Sequence, residues 1–237
     1  MISNNIKLSI VIPVWNNFNF TKKCLEDLAE LPDDHEVIVV DNGSTDGTRK
    51  LESDQNLIVM RNKTNLGFAK ACNIGYGMSS GENVMFLNND VRVRSNKEGW
   101  TKPIIEAAES GNTLVGPTIG ILDSHFNFVT EAEKMPSKGH VYMSGWNLTA
   151  STDTWKKLTL DEYPGPFSEE FGTAYFEDTD LGFRATEKGF EYKIVLCPVH
   201  HFGKMTSKKL GTLKFYHPAK QIFVKKWAGR ADALLRK

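Results

Sequence analysis

The chain has 237 residues, 40% of them apolar, and its 29 basic and 29 acidic side chains balance, which suits one large α/β domain or one domain with a modest appendage. Zero net charge and the lack of a basic–aromatic binding motif argue against a nucleic-acid partner, and the apolar run 8–15, interrupted by Pro13, is too short to span a bilayer. Cys24, Cys72 and Cys197 are too widely spaced for a disulfide framework or a metal knuckle, so a cytoplasmic setting is expected.

Residues 8–12 (LSIVI), apolar but for Ser9, read as a strand buried on both faces, and Pro13 should end it. Asn19 is placed to cap a helix that puts Phe20, Cys24, Leu25 and Leu28 on one face and stops before Pro32. Residues 36–40 read as a second strand that carries Asp41 to its C-terminal end. The turn Asn42-Gly43-Ser44 then leads to a short helix near 46–51. A third strand is expected at 57–61. Phe68, Ala71, Cys72 and Gly75 follow at i, i+3, i+4, i+7 of a helix. A fourth strand at 83–87 delivers Asn88-Asn89-Asp90. Beyond it, a helix is predicted over 103–111 and a strand over 113–115. Residues 117–140 show no period and suit a loop or hairpin. Residues 176–189 read as a helix with Asp180 and Arg184 at a supporting i,i+4 spacing. A strand at 192–196 feeds His200-His201. A final helix has Pro218 in its first turn and Ile222, Phe223, Trp227, Ala231 and Leu234 on its apolar face.

Strands and helices alternating in units of about thirty residues predict a parallel, doubly wound sheet. Right-handed crossovers would then bring Asp41 and Asp90 to one edge, where ligands bind in such sheets.

Each candidate residue has a chemical and a structural reading. Asp41 can accept hydrogen bonds from a base edge or a ribose, or simply start a turn and cap the next helix. Asp90 can give a hard divalent cation one carboxylate, with diphosphate oxygens completing the shell. Asn and Asp also suit a turn after a strand. Glu177-Asp178 can supply a general base, one carboxyl raising the pKa of the other, or be two acids that favour a helix start. His200 and His201 are potential further metal ligands. The start of a helix at Asn65-Leu66-Gly67-Phe68 offers N–H groups to an anion. Trp146, and the aromatics of 163–167, could form platforms for a sugar ring. From His200 onward ten Lys and Arg face one acid, Asp232. That segment is either a solvated helix or a surface for phosphates or anionic lipid.

Seven segments carry a resemblance: SIVIPVWNN (9–17), VIVVDNGSTDGT (37–48), NLGFAKACNIG (65–75), FLNNDV (86–91), SGWNLTA (144–150), FEDTDLGFRATEKGF (176–190) and HHFG (200–203). In this order they resemble the family 2 inverting glycosyltransferases, particularly the rhamnosyltransferase-like branch. The resemblance implies a GT-A fold, a Rossmann-like, mostly parallel sheet flanked by helices, over residues 1–206; 207–237, which matches no motif of the family, is expected to be a basic helical extension packed on it. It implies a donor linked to dTDP, UDP or GDP and a glycan or lipid-linked glycan acceptor. Asp41 would contact the base, with Pro13 and Trp15 lining its pocket and Asn65, Gly67 and Asn89 completing the nucleotide site. Asp90 would hold Mn2+ or Mg2+ with His201, or with His200. Asp178 would be the catalytic base, with Glu177 and Trp146 on the acceptor side. One departure stands out: the family's DxD motif begins here with Asn88. Lys204, Lys208 and Lys209 are candidates for a lid over the diphosphate, and the basic C-terminus for peripheral contact with the inner face of a membrane. Two other functions compete. A binding-only relative would need no base, and a nucleotidyltransferase would carry a Gly-rich basic loop where Pro13-Val14-Trp15-Asn16-Asn17 stands.

Overall fold

A computed structural model describes residues 6–32, 34–203 and 212–234. Four parallel strands, β1 (Leu8–Val14), β2 (His35–Asp41), β3 (Leu57–Arg61) and β4 (Asn83–Leu87), form one half of a seven-stranded sheet. The other half adds β6 (Thr113–Gly116), β10 (Asn147–Ser151) and β11 (Glu191–Ile194), giving the order β11-β6-β10-β4-β1-β2-β3. Only β10 runs against its neighbours. Two smaller sheets lie beside this one. β5 (Val91–Val93) pairs with β12 (Val199–His201), while β7 (Ile119–Leu122) lies between β8 (Phe128–Ala132) and β9 (His140–Met143).

The strand alternation explains why the central runs are mostly apolar. Val11, Ile38, Val40, Val84 and Phe86 face α2 (Phe68–Met78), α4 (Thr152–Leu158) and α5 (Glu177–Glu187). Their neighbours Ile10, Ile12, Val37, Val39, Met85 and Leu87 face α1 (Phe18–Leu28) and α3 (Lys102–Ala108). Both faces are covered, so the side chains on them are mostly apolar, and a polar one such as Ser9 is buried with hydrogen-bond partners. A third cluster joins Phe126, Phe176 and Phe183 to Phe223 and Trp227 of α6 (Thr212–Trp227). Among the described residues no helix is long and apolar enough to cross a membrane.

Several sequence expectations need correction. Pro13 lies inside β1. β4 pairs with β1 only as far as Val11, so beyond that point β1 has an open side where a missing N–H removes no ladder bond. Asn17, in the left-handed region at φ 63°, precedes α1, and Asn19 lies within the helix. Residues 46–51 contain a 3-10 turn, Gly47–Lys50, capped by the Asp46 side chain. The aperiodic stretch 117–140, by contrast, holds a hairpin as expected, β7 against β8, and leads into β9; strands this short give too few residues to show a period. Pro218 is inside α6, which begins six residues before it, and Ala231 and Leu234 belong to a separate 3-10 turn.

Candidate active site

A cavity of about 760 Å3 opens at the C-terminal ends of β1, β2 and β4. Its lining follows the strand order. Trp15 comes from the end of β1, Asn42 from β2 and Asn88 from β4, with Trp146 on the approach to β10. Tyr142 of β9 and Glu131 of β8 continue the wall, and Tyr216 of α6 completes it.

Glu177 and Asp178 open α5 into this cavity. Tyr175 and Phe176 before them both have positive φ, 80° and 69°. Such conformations strain bulky residues and persist where surrounding packing holds them. Here Phe176 is held by Phe223 of α6, ring centroids 5.0 Å apart. The Asp178 carboxylate accepts hydrogen bonds from the N–H of Gly145 (3.0 Å) and of Thr179 (2.7 Å). A Cβ on Gly145 would sit 2.9 Å from that of Asp178, so a glycine is what lets the Asp178 side chain lie against this turn. Burial pushes the Asp178 carboxyl up to about 6, against the pull of those hydrogen bonds. Glu177 is pushed up to about 8, by burial first and by the Asp178 charge second. The two share their protons as a pair. One oxygen of Glu177, Oε2, is buried with no hydrogen-bond partner.

The second group of candidates meets at β12. His201 Nε2 lies 3.1 Å from Asp90 Oδ1, and the Asn88 amide nitrogen is 3.3 Å from the same ring nitrogen. The imidazole stacks on Trp146, centroids 4.7 Å apart and planes 12° from parallel. Trp146 is itself fixed by an indole N–H bond to Thr118 Oγ1 (2.9 Å). The strand alternation turns His200 the other way, against Phe202. Carboxylate oxygen, imidazole nitrogen and amide oxygen are a donor set that suits a divalent ion. Among the described residues no three His, Cys, Asp or Glu side chains gather as ligands. A bound ion would therefore depend on Asp90 and His201, with oxygens of a ligand or water.

The nucleotide candidates are divided. Pro13, Trp15, Asn65 and Asn89 line the cavity, whereas Asp41, Gly67, Asp90 and His200 do not. Asp41 is buried, accepts from Ser44 N–H at 2.9 Å and pairs with Arg61 at 3.6 Å. Asn89 also ties α1 to the site by donating to Thr21 (2.8 Å). The N–H groups of Leu66, Gly67 and Phe68 are not free for an anion. They donate to Asn42, Asn65 and Thr173 at 3.0, 2.9 and 2.9 Å. The aromatic run 163–167 does not reach the cavity; Phe167 is core, edge-on to Phe86. Lys204, Lys208 and Lys209 lie outside the described residues. Sequence reasoning missed Glu131, Tyr142 and Tyr216, which lie outside the motifs and are recruited by strand pairing and helix packing.

The family description Glycosyl transferase family 2 matches residues 9–167. The chain belongs to that family. Among curated relatives of this family 2 chain, the glycosyltransferase AglE of Haloferax volcanii is 27% identical over 221 residues, covering 85% of the chain and 70% of AglE. The fold is GT-A. GalNAc-T7, solved with UDP, GalNAc and Mn2+, superposes with a TM-score of 0.66 at 14% identity, over 84% of this chain and 44% of its own. The mannosyltransferase PcManGT of Pyrobaculum calidifontis, solved with GDP-Man and Mn2+, gives 0.53 at 16% identity, over 81% and 55%. The family 2 chain thus spans about half the length of these solved proteins, and at such identities the likeness is one of fold alone.

Proposed function

We propose that this chain transfers a sugar from a nucleotide-diphosphate donor to a hydroxyl of a glycan or lipid-linked glycan, with inversion at the anomeric carbon. The observation that carries the reading is one cavity lined by both His201, beside Asp90, and the half-buried Asp178. Asp178 accepts the acceptor's hydroxyl proton as its oxygen bonds to the anomeric carbon. The bond from that carbon to the diphosphate breaks, and the nucleotide diphosphate leaves with the electron pair. A carboxyl tuned to about 6 is ionised at neutral pH yet basic enough to help that proton move. Asp90 and His201 would hold Mn2+ or Mg2+, which when bound neutralises charge on the departing diphosphate. Trp15, Pro13, Asn65 and Asn89 would surround the nucleotide, whether dTDP, UDP or GDP. The UDP and GDP complexes of the two fold relatives are consistent with that class.

Within the family we favour the rhamnosyltransferase-like branch, and so a hexosyl or deoxyhexosyl group, on the order and spacing of the seven sequence motifs. Residues 1–206 would be the catalytic unit and 207–237 an extension packed on it. Phe223 and Trp227 lie in one cluster with Phe126 and Phe183, in support of this.

The test is calorimetry with UDP, dTDP and GDP, each with and without Mn2+, beside a transfer assay. One nucleotide is expected to bind with metal dependence that Asp90→Ala removes. Asp178→Asn should lower transfer by about 10²–10⁴-fold while nucleotide affinity stays nearly unchanged. Full transfer by Asp178→Asn would remove it as the base, and no nucleotide binding under any condition would overturn the transferase reading.

A further inference from the structure

The cavity wall beyond Asp178 has a charge and a shape that no motif announced. Glu131 of β8, Gly120 of β7 and Tyr142 of β9 are direct partners in register and so share one face of the small sheet. A Cβ on Gly120 would come within 2.2 Å of the Tyr142 ring, so its absence lets that ring lie across the sheet. Glu131 accepts a hydrogen bond from Ser144 Oγ at 2.9 Å, which aims one carboxyl oxygen at the cavity wall.

Two polar atoms on the same wall lack partners: Glu177 Oε2 and the Tyr175 hydroxyl. Glu177 is only 7% exposed, so an unpaired oxygen there is costly unless a ligand satisfies it. Among the described residues that line the cavity there are three acidic side chains, Glu131, Glu177 and Asp178, and no lysine or arginine. Carboxylates accept from sugar hydroxyls and repel anions. Phe128, 45% exposed at the rim of this wall, offers an apolar face for the C–H side of a sugar ring.

We propose that the Glu131–Tyr142–Glu177 wall is an acceptor subsite that selects an uncharged sugar ring and rejects a uronate, an inference that rests on the transferase reading above. Glu131 sets this choice by charge. It receives hydroxyl protons from a neutral ring and meets a carboxylate with repulsion.

The probes are matched methyl glycosides of glucose, galactose and mannose and of the corresponding uronic acids. They are titrated by NMR into protein loaded with the nucleotide diphosphate and Mn2+. In each pair that binds, the neutral glycoside should bind at least about tenfold more tightly than its uronate. Glu131→Lys should shrink or invert that ratio, and Glu131→Gln should weaken the neutral glycoside, both without changing nucleotide affinity. A merely structural Glu131 would leave the ratio unmoved. Equal or tighter uronate binding, an unchanged ratio in Glu131→Lys, or no glycoside binding to the loaded protein would each overturn the proposal. Failure of the loading step itself would instead overturn the transferase reading, so the two failures are distinguishable.

Discussion

At Asp178 burial raises the carboxyl while the N–H groups of Gly145 and Thr179 hold it down, leaving it near the pH at which a base is useful. Glu177 has no such donors to its Oε2 and is pushed further up. That difference has a stability consequence. The folded chain keeps the Glu177 proton over a window in which the unfolded chain has released it. Stability therefore falls as pH rises from the ordinary glutamate range to about 8, and the loss is complete above it. Glu177→Gln removes the titration. It should stabilise the fold by about 1–3 kcal/mol at pH 9 and hardly at all at pH 4, as read by thermal melts at the two values. An equal gain at both would show that the charge is not responsible. The Glu177-Asp178 doublet was legible in the sequence as a base candidate. Which carboxyl is held by N–H donors and which is left unpaired was not, because Gly145 reaches Asp178 from a segment 33 residues away.

Helix α6 is the element that closes the site. Asp180, buried in α5, accepts from Arg184 Nε, Trp227 Nε1 and Lys226 Nζ, each at 2.9 Å. Arg184 also donates to the carbonyls of Leu158 and Pro166, both at 2.6 Å, so it anchors α5 to α4 and the loop after it. One carboxylate thus joins α5 to the C-terminal helix, and aromatic contacts from Phe223 to Phe176 and Phe183 add to the joint. Phe223→Ala should cost about 3–5 kcal/mol of stability, measured by denaturant titration. It should also lower kcat, since Phe176 lies directly before the Glu177-Asp178 pair. A large stability loss with unchanged kcat would separate the helix from the chemistry. The sequence periodicity placed Phe223 and Trp227 on one face of this helix. It misplaced the start, because Pro218 reads as a first-turn residue and the turns before it carry no apolar period.

On the scale of the whole molecule the charge is uneven although it sums to zero: ten Lys and Arg from His200 onward face a single acid. In α6, Lys226 is engaged with Asp180 and Glu170, whereas Lys214 and Lys225 are exposed. A basic surface of this kind should bring the protein to vesicles containing anionic lipid. Sedimentation should show that binding falling steeply between low salt and about 0.5 M, where screening reaches only a few ångströms. Attachment indifferent to salt would exclude a mainly electrostatic contact.

The sequence by itself determined the doubly wound half of the sheet and the positions of Asp90 and Asp178 at the ends of their elements; His201, expected after the strand at 192–196, lies in a separate short strand, β12, paired with β5. Runs such as LSIVI are mostly apolar because both faces are buried, and a strand end followed by Asn or Asp is a local pattern that neighbours in the chain can report. The tertiary structure alone decided the rest. It turned Asp41 away to Arg61, satisfied the N–H groups at the start of α2, and set β10 against the strand direction. It also brought Glu131, Tyr142 and Tyr216 to the wall that faces Asp178. These outcomes depend on pairings between segments far apart in the chain, and no local spacing records which distant partner a side chain will meet.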